Sequence, residues 1–340
     1  MNNFNFNSFL FFLVFSLLCT SANAREPGSL RINLISHSLD NGAGKQVDVS
    51  ILKEGLESLG HRVKLFDYLK VNGIASSDIN IFLAQYKSEW FPKGKLNWFI
   101  PNPECLRAKL EDLKKFDLIL CKTQESLRIF KPIGKDVYYL GFTSIDCFNP
   151  SLQKDYSSHL HVAGKSPLKG SESILKAWRR DPTLPNLTMI RHSRSTKITQ
   201  FADNVNIINK RIASHSLLSL QNECGVHLCP SKAEGFGHYI MEAMSAEAIV
   251  ITTDAPPMNE FIKDKRCLVK YKRKGKKNYG VTYFVDEKIL AETVRQLQQL
   301  SAEEKQSIGQ LNREEYLRRA AEFKENLERL MKKALLDLSS

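Results

Sequence analysis

Between Arg31 and Phe142 short apolar runs alternate with amphipathic stretches, and from His159 the alternation starts afresh. Strand and helix repeating in turn is the pattern of an α/β chain with a doubly wound parallel sheet, and two separate blocks imply two Rossmann-like halves. Strands are predicted over 31–36, 63–66, 79–84, 96–100, 118–121 and 137–140 in the first block. In the second they fall near 160–162, 187–190, 205–208, 226–229 and 248–252. The spacing predicts a helix over 45–59, with Val47, Ile51, Leu52, Leu56 and Leu59 on one face and Gly60 just past its end. The polar stretch 149–158, which holds Pro150 and several serines, marks the boundary between halves spanning 25–150 and 151–310. From Asp286 onward the composition is helical, and 311–340 is expected to form a closing helix.

Ahead of these blocks lies an apolar run from Phe9 to Cys19, interrupted only by Ser16 and followed by Ala22-Asn23-Ala24. It reads as a secretory signal over 1–24, cleaved before Arg25, and is too short to span a bilayer. The expected destination is a secreted, periplasmic or endomembrane-lumenal one. The remaining chain of about 315 residues is long enough for two domains of ordinary size.

The net charge of +12 resides entirely beyond residue 24 and favours anionic partners: phosphorylated substrates, acidic glycans or anionic surfaces. Its densest cluster, Lys270 to Lys277, reads as a solvated loop or hairpin, with a polyanion site as the alternative. A nucleic-acid partner is not expected, because the basic residues are dispersed and no binding motif interleaves them with aromatics. Six cysteines remain after the signal, too sparse for a disulfide-held scaffold. Cys224, His227 and Cys229 share one short segment, but alternate residues of a strand face opposite ways, so core thiols are expected there rather than a metal centre.

The stretch from 226 to 253 carries the chemistry. A strand runs into Pro230-Ser231-Lys232-Ala233-Glu234-Gly235-Phe236-Gly237, then a helix over 238–246, then a second strand. Open α/β sheets bind ligands at the carboxyl ends of their strands. Gly235 and Gly237 permit close backbone approach, and the helix beginning at His238 offers free amides and the positive end of a dipole. A diphosphate fits such a place. Glu234 and Glu242 bracket it and are suited to accept hydrogen bonds from hydroxyls on either flank. Read blandly, they are a loop acid and a helix-surface acid.

The run Pro230-Ser231-x-x-Glu234-Gly235-Phe236-Gly237-x-x-x-x-Glu242-Ala243 resembles the Glu-x7-Glu signature of the retaining GT-B glycosyltransferases of group 1. The resemblance implies that Glu234 contacts a donor sugar and Glu242 the ribose of its nucleotide. A second element, Gly164-Lys165-Ser-Pro-Leu-Lys169-Gly170, is similar to the family's Gly-Arg…Lys-Gly pair, whose cations hold the departing diphosphate; Lys165 stands in place of the usual Arg. A third, Asp40-Asn41-Gly42-Ala43-Gly44, resembles the family's glycine-rich turn on the N-terminal side, although Gly42 and Gly44 also suit an ordinary turn. Where the family tends to carry a Gly-rich turn before a Glu, this chain has Pro256-Pro257-Met258-Asn259-Glu260, which removes two N–H donors and leaves Glu260 as a donor-site candidate.

On this resemblance the fold is GT-B and the activity is retaining transfer from a nucleotide-diphosphate sugar to an unidentified glycan, lipid or protein acceptor. The catalytic candidates are Glu234, Lys169 and Lys165. Donor binding would fall to Glu242, Gly235, Phe236, Gly237, His238, Gly42, Gly44 and Glu260. The chain has no Asp-x-Asp, so no metal and no other cofactor is expected. His238 is read as an acid or base, or else as a hydrogen-bonding or packing residue. His37 at the end of the first strand has the same two readings. Asn102 and Glu104, just after a strand, either touch the acceptor or form a Pro-rich turn. The alternative function is a secreted module of the same fold that binds a nucleotide sugar or glycan without turnover.

Overall fold

A computed structural model describes residues 28–37, 44–191 and 202–339. The signal and Gly42 lie outside the described residues. Among these residues no helix is long and apolar enough to cross a membrane.

The first half is a six-stranded parallel sheet of β1 (Arg31–Ser36), β2 (Arg62–Asp67), β3 (Ser77–Leu83), β4 (Gly94–Ile100), β5 (Leu118–Cys121) and β6 (Val137–Tyr139), in the order β2-β1-β3-β4-β5-β6. Helix α1 (Gly44–Ser58) follows β1, and α2 (Leu110–Leu113) and α3 (Gln124–Phe130) flank β5. Gly60 takes a φ of 84° after α1, where the amides of Gly60 and His61 reach back to the carbonyls of Glu57 and Leu56. All seven residues of β3 are buried, as a central strand covered on both faces requires. That burial includes Asn80. Its carboxamide accepts from Asn33 of β1 at 3.0 Å and donates to Asn97 of β4 at 3.0 Å, so a row of three asparagines crosses the sheet in register.

The second sheet contains β7 (Asp155–Gly164), β8 (Leu187–Arg191), β9 (Val205–Ile208), β10 (Cys224–Cys229), β11 (Ile249–Thr253) and β12 (Leu268–Val269), in the order β12-β11-β10-β7-β8-β9. Around it pack α4 (Ser171–Arg180), α5 (Ser214–Glu223), α6 (His238–Ser245) and α7 (Glu287–Gln298). The basic cluster forms a hairpin of β13 (Tyr271–Lys277) with β14 (Gly280–Val285). Strand β7 begins at Asp155, inside the polar stretch read as a boundary. Its first residues alternate between exposed and half-buried at the sheet's rim, which is why their composition resembles a linker.

Helix α8 (Ala302–Asp337) starts ahead of residue 311, under a capping box of Ser301 and Glu304. It then runs back across both halves. Asn312 donates to the Ala248 carbonyl at 2.9 Å in the second half, while Asn326 donates to Leu140 at 3.2 Å and accepts, through its carbonyl, from Tyr138 in the first. Phe142, Phe236 and Phe323 meet at ring separations of 5.0 to 5.3 Å, so one apolar cluster joins the halves. Cys224, His227 and Cys229 are buried on β10 with their thiols free, and the His227 ring bonds the Gln221 carbonyl.

Candidate active site

In the second sheet β7 lies between β10 and β8, so the direction of winding reverses between β7 and β10. The crevice beyond the carboxyl ends of two such strands is where a doubly wound sheet binds ligands. Both motif segments open there: Gly164 to Gly170 from the end of β7, and Pro230 to Gly237 from the end of β10.

Lys169 and Glu234 meet across this crevice, Nζ donating to Oε1 at 2.8 Å. The Lys169 ammonium also stands 3.6 Å from the centre of the Tyr239 ring. Glu234 accepts a second hydrogen bond from Ser231, whose hydroxyl is shared with Tyr239. Gly170 has a φ of 75°, and a Cβ there would lie 2.0 Å from the Pro230 carbonyl oxygen, so glycine is the residue that allows the two loops to touch. Behind them His161 is wholly buried and ties the β10 carbonyl of Leu228 to Ser171 at the start of α4. Burial holds its pKa down at about 4, so the ring is neutral.

Gly237, at a φ of 118°, caps α6. Among the described residues nothing accepts from the amides of Gly235, Phe236, Gly237, His238 and Tyr239. Amides at the start of a helix, where the positive end of its dipole lies, are suited to bind phosphate. Phe236 contributes its backbone alone, because its ring is buried against Phe142 and Phe261. Glu242, half-buried on α6, accepts weakly from Ser144 at 3.5 Å and from Gln221 at 3.3 Å. Lys165 is exposed in the turn after β7 and does not reach the pair formed by Lys169 and Glu234.

The N-terminal half closes over this crevice. A Cβ on Gly235 would lie 2.6 Å from the Asn102 side chain, and one on Gly44 would lie 3.3 Å from the His238 ring. His238 Nε2 donates to the Asp48 carboxylate at 3.0 Å, and its Nδ1 lies 3.0 Å from the Ser144 hydroxyl. Lys122 completes the group, with Nζ 2.9 and 3.0 Å from the two Asp48 oxygens. Burial opposes ionisation of Asp48, but Lys122 and His238 together outweigh it and hold the carboxyl below its ordinary range. A narrow space of about 10 Å³ beside Glu234 is bounded by Pro103, Glu104, Ala233 and Pro257.

Glu260 lies in the turn after β11. Its carboxylate accepts from the amides of Gln124 at 2.9 Å and Glu125 at 2.7 Å, capping α3 of the opposite half. His37 bonds Lys45 at 3.0 Å, and burial followed by that ammonium lowers its pKa. Asp48, Lys122 and Ser144 were not singled out in the sequence. One signal was available: Asp48 precedes Leu52 and Leu56 at helical spacing, so it puts a carboxylate on the apolar stripe of α1.

Residues 192–302 match the family model of glycosyl transferases group 1. No curated protein matches the chain by sequence. Among solved structures, HepE from Anabaena in complex with UDP-glucose superposes with a TM-score of 0.61 at 15% identity, over 91% of this chain and 100% of that one. Sucrose-phosphate synthase from Thermosynechococcus elongatus gives 0.59 at 13% identity, over 91% and 97%. The N-terminal domain of trehalose-6-phosphate phosphatase from Candida albicans gives 0.57 at 12% identity, over 94% and 99%. The chain thus has the GT-B fold, and the part of it that carries Glu234 and Glu242 matches the glycosyl transferases group 1.

Proposed function

We propose that the protein transfers a sugar from a nucleotide-diphosphate donor with retention of anomeric configuration and without a metal. The observation that carries this reading is the meeting of Lys169 and Glu234 beneath the unpaired amides at the start of α6, at the point where the second sheet reverses its winding. Neighbouring structures hold UDP or UDP-glucose, which supports a nucleotide-sugar donor.

Stretching the glycosidic bond builds negative charge on the leaving diphosphate. Preorganised cations and amides stabilise that charge because they need not reorient as it develops. Lys169 and the amides from Gly235 to His238 take that role, with Lys165 at the rim. Donor entry frees Lys169 from Glu234, whose carboxylate then accepts from a sugar hydroxyl, while Glu242 takes the ribose. The acceptor attacks on the face the diphosphate is leaving, and its proton passes to the phosphate.

Transfer and mere binding are separated by incubating the chain with a panel of nucleotide sugars and following slow donor hydrolysis. Release of free sugar from one donor, together with its thermal stabilisation of the protein, is expected. Stabilisation without release from any donor supports the binding-only alternative. Export by the N-terminal apolar run belongs to the same proposal, and a secreted product beginning at Arg25 is its expected outcome.

A further inference from the structure

The first sheet also reverses its winding, between β1 and β3, and a cavity of about 550 Å³ opens beyond the carboxyl ends of those strands. Its wall includes Lys45 from the first turn of α1, Tyr86 beyond β3, Glu104, Cys105 and Arg107 from the loop after β4, and Lys277 from the basic hairpin. Three hydrogen bonds pin the hairpin to that loop: Tyr279 N to the Pro103 carbonyl at 3.1 Å, Asn278 to that of Glu104 at 2.7 Å, and the Tyr279 hydroxyl to that of Ala108 at 2.8 Å. Lys277 is thereby held at the rim while most of the basic run faces solvent.

Glu104 has 7% of its surface exposed, and no described residue bonds its Oε2. A buried polar atom left without a partner is rare and points to a ligand group. The same side chain borders the narrow gap beside Glu234. It therefore stands between the donor crevice and the cavity. Burial, and after it the Glu234 charge, raise its pKa.

We propose that this cavity is the acceptor subsite and that its occupant is a hydroxylated anion, a sugar phosphate or a sugar acid. Lys45, Arg107 and Lys277 meet the anionic group, and Glu104 Oε2 hydrogen-bonds a hydroxyl of the same molecule. The inference rests on the proposed transfer. In that step the acceptor oxygen bonds the anomeric carbon as the bond from that carbon to the diphosphate breaks. The electron pair leaves on the diphosphate, which also takes the hydroxyl proton. Three cationic residues on the wall of one cavity favour a charged acceptor over a neutral one, because their joint field attracts an anion and not a neutral sugar.

Cys105 provides a reporter inside the wall, since it is exposed and free while the other described cysteines are buried. The full-length protein is labelled with anionic and cationic methanethiosulfonates at low salt, and modification of Cys105 is read by peptide mass spectrometry. The anionic reagent should react roughly tenfold faster, a ratio that collapses in the Arg107→Gln/Lys277→Gln double variant. Equal rates in the wild type, or a ratio unchanged in the variant, overturn the proposal.

Protection is then measured with glucose 6-phosphate, glucuronate, inorganic phosphate and glucose. Protection strongest with glucose 6-phosphate supports a sugar phosphate, and strongest with glucuronate a sugar acid. Glucose protecting as well as either, inorganic phosphate protecting as well as glucose 6-phosphate, or no protection by any of the four overturns the proposal. Glu104→Gln should weaken the sugar anion about fivefold relative to inorganic phosphate, and an unchanged ratio removes Glu104 from the site. Nucleotide binding measured alongside keeps the two readings apart. If a nucleoside diphosphate binds but charge selectivity is missing, the acceptor subsite alone falls. If selectivity is present without nucleotide binding, the donor reading falls.

Discussion

The two sheets are built alike and differ in how their sites are written. Each is parallel, six-stranded and reversed once in its winding, and each opens a crevice at that reversal. In the second half the crevice is lined by a motif: two glycines flank Phe236, a Lys-Gly pair stands opposite, and a helix begins directly behind. In the first half it is lined by side chains from the start of α1, the loops after β2, β3 and β4, and the basic hairpin, and shows no motif. A diphosphate makes the same demands wherever it binds, namely backbone amides, close approach and positive charge. An acceptor makes none that recur, so the first half leaves little for a reader of sequence to find.

That contrast can be broken most forcefully with acid. His159, His161 and His227 all belong to the second sheet, and burial lowers each pKa to about 4. A folded pKa below the unfolded value near 6.5 means that stability is fully present above that value and is lost as pH falls toward 4. Between pH 7 and 5 each ring should cost about 2 kcal/mol. In the first half His37 and His61 are lowered too, each chiefly by burial, but they lie just past the ends of β1 and α1 and not inside central strands. Hydrogen exchange at pH 5 should therefore open β7 and β10 ahead of β1 and β3, and the reverse order would contradict the assignment.

The next effect tests the join. Asp48→Asn leaves the Lys122 ammonium buried with its charge uncompensated, and the expected loss is about 3–5 kcal/mol, read from urea unfolding at pH 7. Because the Asp48 pKa is lowered, its contribution is present above the ordinary carboxylate range and disappears only as pH falls through the depressed value. A loss below about 1 kcal/mol would mean that Lys122 finds another partner, or water, when the halves move.

Lys169→Ala and Glu234→Ala follow. Each is expected to lower turnover by roughly 100-fold or more with the thermal transition little changed, as removal of one charge-stabilising donor does. Near wild-type transfer by either variant would take the motif out of the chemistry. Lys165→Ala should be the mildest, within about tenfold, because its ammonium is exposed and its field is screened by solvent. A larger loss would show that the turn after β7 folds inward on the donor.

Strands β1 to β11, α1 with its Gly60 terminus and the helical tail were legible from periodicity and turn chemistry, while the basic run was read as a loop or hairpin and β12 and β14 were not read. Lys169 and Glu234 were each marked in the sequence, but their meeting emerges only with the strand order that sets β7 beside β10. What escaped depends on how one half sits on the other. Glu260, a donor candidate from its place after the prolines, caps α3 across the join. His238, at the helix start, bonds Asp48 of the other half. The start of β7 was hidden because its amino end is solvated and polar. No local pattern encodes contacts made only when two domains dock.

Titration calorimetry of nucleoside diphosphates, beginning with UDP, against the wild-type chain and Lys169→Ala puts the phosphate-binding role to the proof. At least one diphosphate should bind the wild type, and the variant should hold it about tenfold more weakly or worse, the loss of one charge-assisted hydrogen bond. Equal affinity in both proteins, or no binding by any nucleotide, would contradict the account.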